Sequence, residues 1–257
     1  MKAIKRIVLF ILVASTLMFA AHLYQRLSFA SPKKYFPINS FEKDSTLSIG
    51  IIGDSWVSYQ KLDSLLSASL LKKSIHSNII SAGKDGARTK QIYQSIFNDD
   101  TASFSCKTII EKQPRFCIVI AGVNDAQSFT GAGNYAHHII LIVQTLLHYN
   151  IKPVLVELPV FDVEKAQQHI GWYRQLRNKV CSILNNEQLN NIAVYRQKLQ
   201  NELEEKNLLN KIIKVEFDTL CKDFEQCHYL YRDALHLNKE GNQKLVELLS
   251  KTIIAYK

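Results

Sequence analysis

From residue 47 onward, short apolar runs alternate with amphipathic helical patterns. Five runs have a β-type composition: 47–52, 77–82, 116–122, 152–159 and 191–195. Helical spacing of apolar residues predicts helices at 58–71, 88–97, 134–149, 164–185, from the last of those runs to 206, and at 239–254. The segment 211–217 is either one more short strand or a buried stretch.

Continuously apolar strands that are separated by helices are typical of a parallel sheet covered on both faces. In such sheets, ligands bind outside the carboxyl ends of the strands, near the point where the strand order reverses. The pattern therefore predicts an α/β domain at 47–257, and the residues that directly follow each strand are its candidate functional residues.

The N-terminal residues 1–24 have a different pattern. Basic residues precede an apolar run from Ile7 to Ala21, which continues more weakly through Tyr24. A helix of this length spans roughly 27 Å, a marginal membrane crossing. The segment is interpreted as an uncleaved transmembrane anchor or a cleaved signal peptide, with a buried soluble helix as the remaining alternative.

In a bacterial cell, both export interpretations keep the basic end in the cytoplasm and place the domain outside it, in the periplasm or at the cell surface. The polar residues 25–46 contain Pro32 and Pro37 and are interpreted as a tether. We therefore expect the membrane to be a partner through residues 7–24.

Composition and charge narrow the function classes only slightly. The chain has 257 residues, of which 47% are hydrophobic and 21% charged, as in globular proteins. Its net charge of +9 indicates either a basic surface that only aids solubility or one that attracts anionic glycans or lipid headgroups. The sequence has no dense Lys/Arg block with interleaved aromatic residues, so nucleic acid is not expected as a partner.

The five cysteines include no C-x-x-C pair, which disfavours a zinc site. Cys221 and Cys227 are close enough in sequence to bridge a small loop in an oxidising compartment, although their pairing stays open at this point.

Three stretches with candidate chemistry follow predicted strands. Ser55 in G-D-S is either the N-cap of the next helix or a nucleophile. Gly83 opens a G-x-x-G loop, where a backbone N–H could donate to a developing oxyanion. Asn124 in G-x-N-D could offer a side-chain N–H to the same oxyanion, although Asn and Asp also favour plain turns.

A fourth stretch precedes the last helix. Asp233 and His236 form a D-x-x-H pair, in which the imidazole could act as the base for a serine and the carboxylate could orient it. A surface pair is the alternative for a lone D-x-x-H. The four stretches in one chain favour a serine-dependent site.

Together these blocks resemble the SGNH hydrolases, also called the GDSL esterase/lipase family, which are named for a Ser, a Gly, an Asn and a His in four separated blocks. The sequence has Ser55 in G-D-S, Gly83 in G-x-x-G, Asn124 in G-x-N-D and His236 in D-x-x-H followed by L-N-x-x-G. Trp56 follows the serine where the family name implies leucine, and many members lack an N-terminal membrane segment.

The resemblance implies a three-layer α/β/α sandwich with a five-stranded parallel sheet, the flavodoxin-like fold of these hydrolases, here preceded by one membrane helix. It also implies serine-dependent ester hydrolysis or acyl transfer without a metal or other cofactor. Ser55 would be the nucleophile, His236 the base and Asp233 its orienting acid. The backbone N–H groups of Ser55 and Gly83 and the side chain of Asn124 would form the oxyanion hole.

The substrate stays open. We expect removal or transfer of a small acyl group, most simply acetyl, on a cell-envelope or other carbohydrate. A lipase or thioesterase acting on longer acyl chains is the alternative within this chemistry. A non-catalytic glycan-binding protein on the same fold is the alternative from another class, although the complete set of four site residues argues against it.

Overall fold

The structure is a computed structural model that describes residues 2–38, 46–99, 102–189 and 191–257. Five parallel strands form one sheet with the order β2-β1-β3-β4-β5. The strands are β1 (Leu47–Gly53), β2 (Ser77–Gly83), β3 (Phe116–Ile120), β4 (Lys152–Val156) and β5 (Ile213–Val215). The predicted parallel sheet is confirmed, and 211–217 contains its short fifth strand.

The described residues also form twelve α-helices: α1 (Lys2–Leu27), α2 (Ser55–Ser58), α3 (Leu62–Leu71), α4 (Thr89–Ser95), α5 (Lys107–Glu111), α6 (Val123–Gln127), α7 (Ala132–His148), α8 (Val163–Gln168), α9 (Trp172–Asn185), α10 (Ile192–Glu205), α11 (Phe224–Cys227) and α12 (Lys239–Ala255). One layer is formed by α3 and α12, which pack against each other, and the opposite layer contains α4, α7 and α10. This arrangement is the predicted three-layer sandwich.

The continuously apolar strands form the centre of the hydrophobic core, as the sequence pattern predicts. All five residues of β3 are buried, and β1 is buried except for one position. In the register, Gly53 at the end of β1 lies opposite Gly83 of β2 and Ile120 of β3. The strand order reverses at β1, so the carboxyl ends of β1, β2 and β3 meet at the place where such sheets bind ligands.

Two element predictions were wrong. The predicted helix at 164–185 is two helices, α8 and α9, because the chain leaves the helix after Gln168 and is extended at Gly171, the N-cap position of the second one. The β-type run at 191–195 lies at the start of α10 instead of forming a strand. Tyr195, Leu199 and Leu203 are buried at helical spacing along that helix, and this periodicity outweighs the local β propensity.

The N-terminal helix α1 is long and apolar. Its segment Ile4–Leu27 contains 24 residues with a mean hydropathy of 2.2, and its most apolar window is exposed. Among the described side chains of α1, those of its C-terminal part meet the domain, where Leu23 and Arg26 are buried and Phe19 packs edge-on against Tyr173. Length and composition suit a membrane span, and a signal sequence has the same features.

Residues 28–38, here called the strap, follow α1 and run along the layer that contains α4 and α7. The Ala30 N–H donates to His138 Nε2 over 3.0 Å, and the Lys33 N–H donates to the Tyr93 hydroxyl over 2.7 Å. The Tyr149 hydroxyl is bonded to both backbone groups of Phe36. The described part of the predicted tether at 25–46 therefore contacts the domain closely, whereas 39–45 lie outside the described residues.

Candidate active site

The first block of the site is a tight turn that starts a helix. A Cβ atom on Gly53 would lie 2.2 Å from the carbonyl oxygen of Ile120, so only glycine fits at the end of β1. Asp54 then caps α2, because its carboxylate accepts from the Trp56 N–H over 3.0 Å. Ser55 is the first residue of α2 and is 3% exposed. The cap is therefore Asp54, and Ser55 is left free for other contacts.

The residue after Ser55 has a structural role. Trp56 is fully buried and packs edge-on against Phe217, with 5.8 Å between the ring centroids. The tryptophan that replaces the leucine of the family name thus points into the core and leaves the serine side unaffected.

The fourth block folds back on its own carboxylate. Asp233 Oδ1 accepts from the backbone N–H groups of Leu235 and His236 over 2.8 and 2.7 Å. This local turn brings the His236 ring beside the carboxylate, with 3.0 Å from Nδ1 to Oδ2 and 3.1 Å to Oδ1. The spacing of three residues in D-x-x-H is what such a turn requires.

The following L-N-x-x-G sequence holds this turn on α12. Asn238 caps the helix by accepting from the Gly241 N–H over 3.0 Å. A Cβ on Gly241 would lie 2.4 Å from the carbonyl oxygen of Leu230, so glycine permits the close approach of helix and loop. The motif is therefore the base on which Asp233 and His236 are mounted.

Ser55, His236 and Asp233 form one hydrogen-bonded line. The distance from Ser55 Oγ to His236 Nε2 is 3.0 Å. A carboxylate can only accept, so His236 Nδ1 carries the proton and Nε2 is the acceptor for the Ser55 hydroxyl. This line joins two blocks that are separated by 181 residues in the chain.

The electrostatics of the line favour an ionised acid. Partial burial acts to raise the pKa of Asp233, but the Leu235 and His236 N–H groups and the His236 ring outweigh it and hold the pKa below its usual value. Asp233 is therefore a carboxylate at neutral pH, able to stabilise a positive charge on His236. The side chain of Asp233 is 47% exposed and that of His236 is 16% exposed.

The second and third blocks lie beside the turn that carries Ser55. A Cβ on Gly83 would be 2.6 Å from the Ser58 nitrogen and 2.8 Å from the Asp54 carbonyl oxygen, so glycine allows β2 to end against α2. Asn124 lies in the first turn of α6 and is 7% exposed. Its side-chain amide donates to the Ala87 carbonyl oxygen over 3.1 Å, which fixes it to the loop that begins at Gly83.

Two buried carboxyl groups accompany these blocks. Asp125 accepts from the N–H and the hydroxyl of Thr89 over 2.9 and 2.8 Å, which ties the third block to the start of α4. Burial raises the pKa of Asp54 to about 7; the nearby Asp125 adds to the rise, whereas the Trp56 N–H and the Asn124 side chain oppose it.

The sequence motifs did not indicate two residues that lie near His236 in the structure. The Tyr59 ring lies edge-on to the imidazole, with 6.1 Å between the centroids, and its hydroxyl is hydrogen-bonded to Asp85. The Arg232 guanidinium lies 5.7 Å from the centre of the Tyr59 ring. Tyr59 is four residues after Ser55, one helical turn away, and Arg232 directly precedes Asp233. Their closeness in sequence to the Ser55 and Asp233 motifs was the feature that could have indicated them.

Cys221 and Cys227 form a disulfide with 5.8 Å between their Cα atoms. The bridge closes a short loop just before the segment that carries Asp233 and His236. Within the described ranges, no group of three or more His, Cys, Asp or Glu side chains is arranged to hold a metal ion.

The comparisons with known proteins concern the fold. No protein-family model matches the sequence, and no curated protein matches it either. Solved structures are similar at low identity. An acetyl xylan esterase, AlAXEase, shares 19% identity with a TM-score of 0.58, covering 80% of this chain and 99% of the other.

Two further structures are similar in the same way. A GDSL-like lipase from Bacteroides thetaiotaomicron shares 13% identity with a TM-score of 0.57, covering 82% of this chain and 89% of its own. The psychrotrophic esterase EstA from Pseudoalteromonas sp. shares 14% identity with a TM-score of 0.55, covering 82% and 98%. The chain therefore has the fold of the SGNH hydrolases, as its four blocks predicted.

Proposed function

We infer that this chain is a serine esterase of the SGNH type, which hydrolyses or transfers a small acyl group, most simply acetyl, on a carbohydrate. The observation that carries this proposal is the hydrogen-bonded line from Asp233 through His236 to Ser55. A buried serine hydroxyl that donates to a carboxylate-oriented imidazole is the arrangement of an activated nucleophile. The fold, which is common to esterases and lipases among the similar structures, supports the same chemistry.

The first half of the reaction forms an acyl-enzyme. Ser55 Oγ attacks the acyl carbonyl carbon while its proton moves to His236 Nε2. Asp233 stabilises the imidazolium that results, because it is an ionised carboxylate in contact with Nδ1. The carbonyl oxygen becomes an oxyanion, which the N–H groups of Ser55 and Gly83 and the Asn124 amide stabilise in this proposal.

The second half releases the products. His236 gives its proton to the leaving alcohol oxygen as the bond from that oxygen to the acyl carbon breaks. A water molecule or a sugar hydroxyl then attacks the acyl-enzyme, with His236 again accepting the proton. As the second tetrahedral intermediate collapses, the bond from Ser55 Oγ to the acyl carbon breaks and His236 returns its proton to Oγ. The products are the free hydroxyl of Ser55 and either the free acid or a new ester.

Features outside the Asp233–His236–Ser55 line support a carbohydrate substrate and a location outside the cytoplasm. One similar structure is an acetyl xylan esterase. The apolar helix α1 has the length to hold the chain in a membrane, and the disulfide between Cys221 and Cys227 suits an oxidising compartment. In this proposal α1 anchors the protein, and its basic N-terminus stays in the cytoplasm.

The proposal is tested with the full chain in a non-ionic detergent. Hydrolysis of p-nitrophenyl acetate, butyrate and octanoate is measured for the unchanged chain, for Ser55→Ala and for Ser58→Ala, an exposed serine of the same helix. We expect turnover that is greatest for acetate, is lost in Ser55→Ala and persists in Ser58→Ala. A preference for octanoate would favour the lipase alternative. Turnover independent of Ser55, or none with any ester or sugar acceptor, would contradict the proposal.

A further inference from the structure

A groove of about 580 Å³ opens beside the candidate active site, between α3 and α12. We call it the basic groove. Its near end is formed by Tyr59 and Arg232, which are the two neighbours of His236 and Asp233 described above. A molecule whose ester lies at Ser55 can therefore continue into this groove.

The charge of the basic groove is one-sided. Its lining contains one acidic residue, Glu247. It also contains six exposed basic residues: Lys61, Lys72, Lys73, Arg232, Lys239 and Lys251. Among the described residues, the only carboxylate within ion-pair distance of any of the six is Asp233, which lies 3.4 Å from Arg232. Five cations thus have no ion-pair partner among the described residues, and a cleft in which one sign of charge dominates concentrates ligands of the opposite sign.

The floor of the groove suits a sugar chain. Exposed Leu65 and Ala68 supply apolar surface, on which the C–H faces of sugar rings can pack. Half-buried Ser69 and exposed Gln243 also line the groove. Their hydroxyl and amide groups can exchange hydrogen bonds with the hydroxyl groups of a sugar chain.

The position of the groove argues for a polymer instead of the bilayer that would hold α1. The end of α1 and the strap contact α4 and α7 through Lys90, Asn134 and His138. The basic groove lies in the opposite layer of the sandwich, between α3 and α12. Its cations therefore face away from the side on which the membrane helix joins the domain.

We propose that the basic groove binds an acidic polysaccharide, and that the acyl ester removed or transferred at Ser55 is carried by this polymer. This inference rests on the proposed function, since it names the class of carbohydrate on which the same site acts. The negative charges of the polymer pair with the groove lysines, while its sugar rings pack on the apolar floor.

The first test measures binding without turnover. The full chain with Ser55→Ala, in a non-ionic detergent, is titrated with polygalacturonate and with its methyl-esterified, uncharged form. Lys72→Gln combined with Lys251→Gln removes two groove charges. Lys112→Gln combined with Lys211→Gln removes two exposed charges outside the groove and is the matched control.

We expect polygalacturonate to bind more tightly than its methyl ester, and we expect the groove variant to lose roughly tenfold in affinity. The control variant keeps its affinity, and raising the salt from about 0.05 to 0.5 M weakens binding to the unchanged groove. Equal affinity for the charged and uncharged polymers, or equal losses in the groove and control variants, would overturn the inference.

The second test measures acetate release from acetylated polygalacturonate, relative to p-nitrophenyl acetate turnover by the same preparation. The groove variant lowers this ratio, whereas the control does not. If the groove substitutions weaken binding only to mixed micelles that contain anionic phosphatidylglycerol, and not to polygalacturonate, the groove binds lipid and the inference fails. If the chain shows no Ser55-dependent turnover but binds polygalacturonate in a charge-dependent way, the result contradicts the proposed function and supports polysaccharide binding by the groove.

Discussion

The loop that carries Asp233 and the strap each contact one histidine, and the two rings are bonded in parallel ways. His236 Nδ1 donates to Asp233, and its Nε2 accepts from the Ser55 hydroxyl. His138 Nδ1 lies 2.7 Å from the Asn134 carbonyl oxygen, and its Nε2 accepts from the Ala30 N–H. Both rings are therefore the same neutral tautomer, held from both sides.

The difference lies in what surrounds each ring. His236 keeps 16% of its side chain exposed and has a carboxylate behind it, so a proton arriving at Nε2 meets a compensating charge. His138 is fully buried and has only a carbonyl behind it. Burial, together with the cations nearby, lowers the pKa of His138 to about 4, although its bond to Asn134 opposes the shift. One imidazole is therefore suited to proton transfer and the other to holding the strap.

The largest expected effect comes from exchanging each histidine for glutamine. His236→Gln removes the base and should lower kcat/KM for p-nitrophenyl acetate by about 10⁴-fold. His138→Gln should leave kcat/KM within a few-fold, because the ring contacts the strap and not the serine. Comparable losses of activity in the two variants, both folded by circular dichroism, would refute the distinction.

Asp233→Asn tests the charge behind His236. The amide can still accept from the Leu235 and His236 N–H groups, so the turn is retained. It cannot stabilise an imidazolium, and we expect kcat to fall by about 10³-fold with KM little changed. Activity within tenfold of the unchanged chain would mean that the carboxylate only positions the loop.

Asn124→Ala tests the proposed oxyanion hole. Loss of one donor typically costs about 10²–10³-fold in kcat, while substrate binding is largely kept. Thr130→Ala is a control, because this buried residue lies in the same segment and contacts Asp125 instead of the nucleophile. An Asn124→Ala variant with full kcat would exclude its side chain from the oxyanion hole.

The pH dependence of stability tests the strap histidine. Folding holds the pKa of His138 below the ordinary value of about 6.5, so its contribution is complete above that pH and is lost as the pH falls towards 4. Between pH 7 and 4.5, the free energy of unfolding of the unchanged chain should fall relative to His138→Gln by about 2–3 kcal/mol. Parallel pH profiles from urea unfolding would show that His138 is not held neutral.

The sequence indicated which four blocks meet at the sheet edge but not where the strap packs, for a physical reason. Three of the four blocks have a local signature, because Gly53, Gly83 and Gly241 each occupy a position where a Cβ would meet backbone atoms. The parallel strands then bring these blocks together at one edge of the sheet. The alternation of strands and helices along the sequence is enough to predict this arrangement. The D-x-x-H spacing likewise encodes its own turn.

The strap has no such signature, because its contacts join backbone groups to distant side chains. Ala30 meets His138 across 108 residues, and nothing in a polar, proline-containing segment indicates that partner. The β-type run at 191–195 failed for a related reason, since burial of Tyr195 against α7 decided its conformation. The basic groove was equally hidden, because its lysines come from the residues that flank α3 and from α12, which are far apart in the sequence.

Labelling with a fluorophosphonate tests most directly the claim that the Asp233–His236–Ser55 line activates the serine. The unchanged full chain, His236→Gln and His138→Gln are treated in a non-ionic detergent, digested and mapped by mass spectrometry. We expect one adduct, on Ser55, which forms at full rate in His138→Gln and at least about 10²-fold more slowly in His236→Gln. An adduct on another residue, or equal labelling rates in the two variants, would contradict the claim.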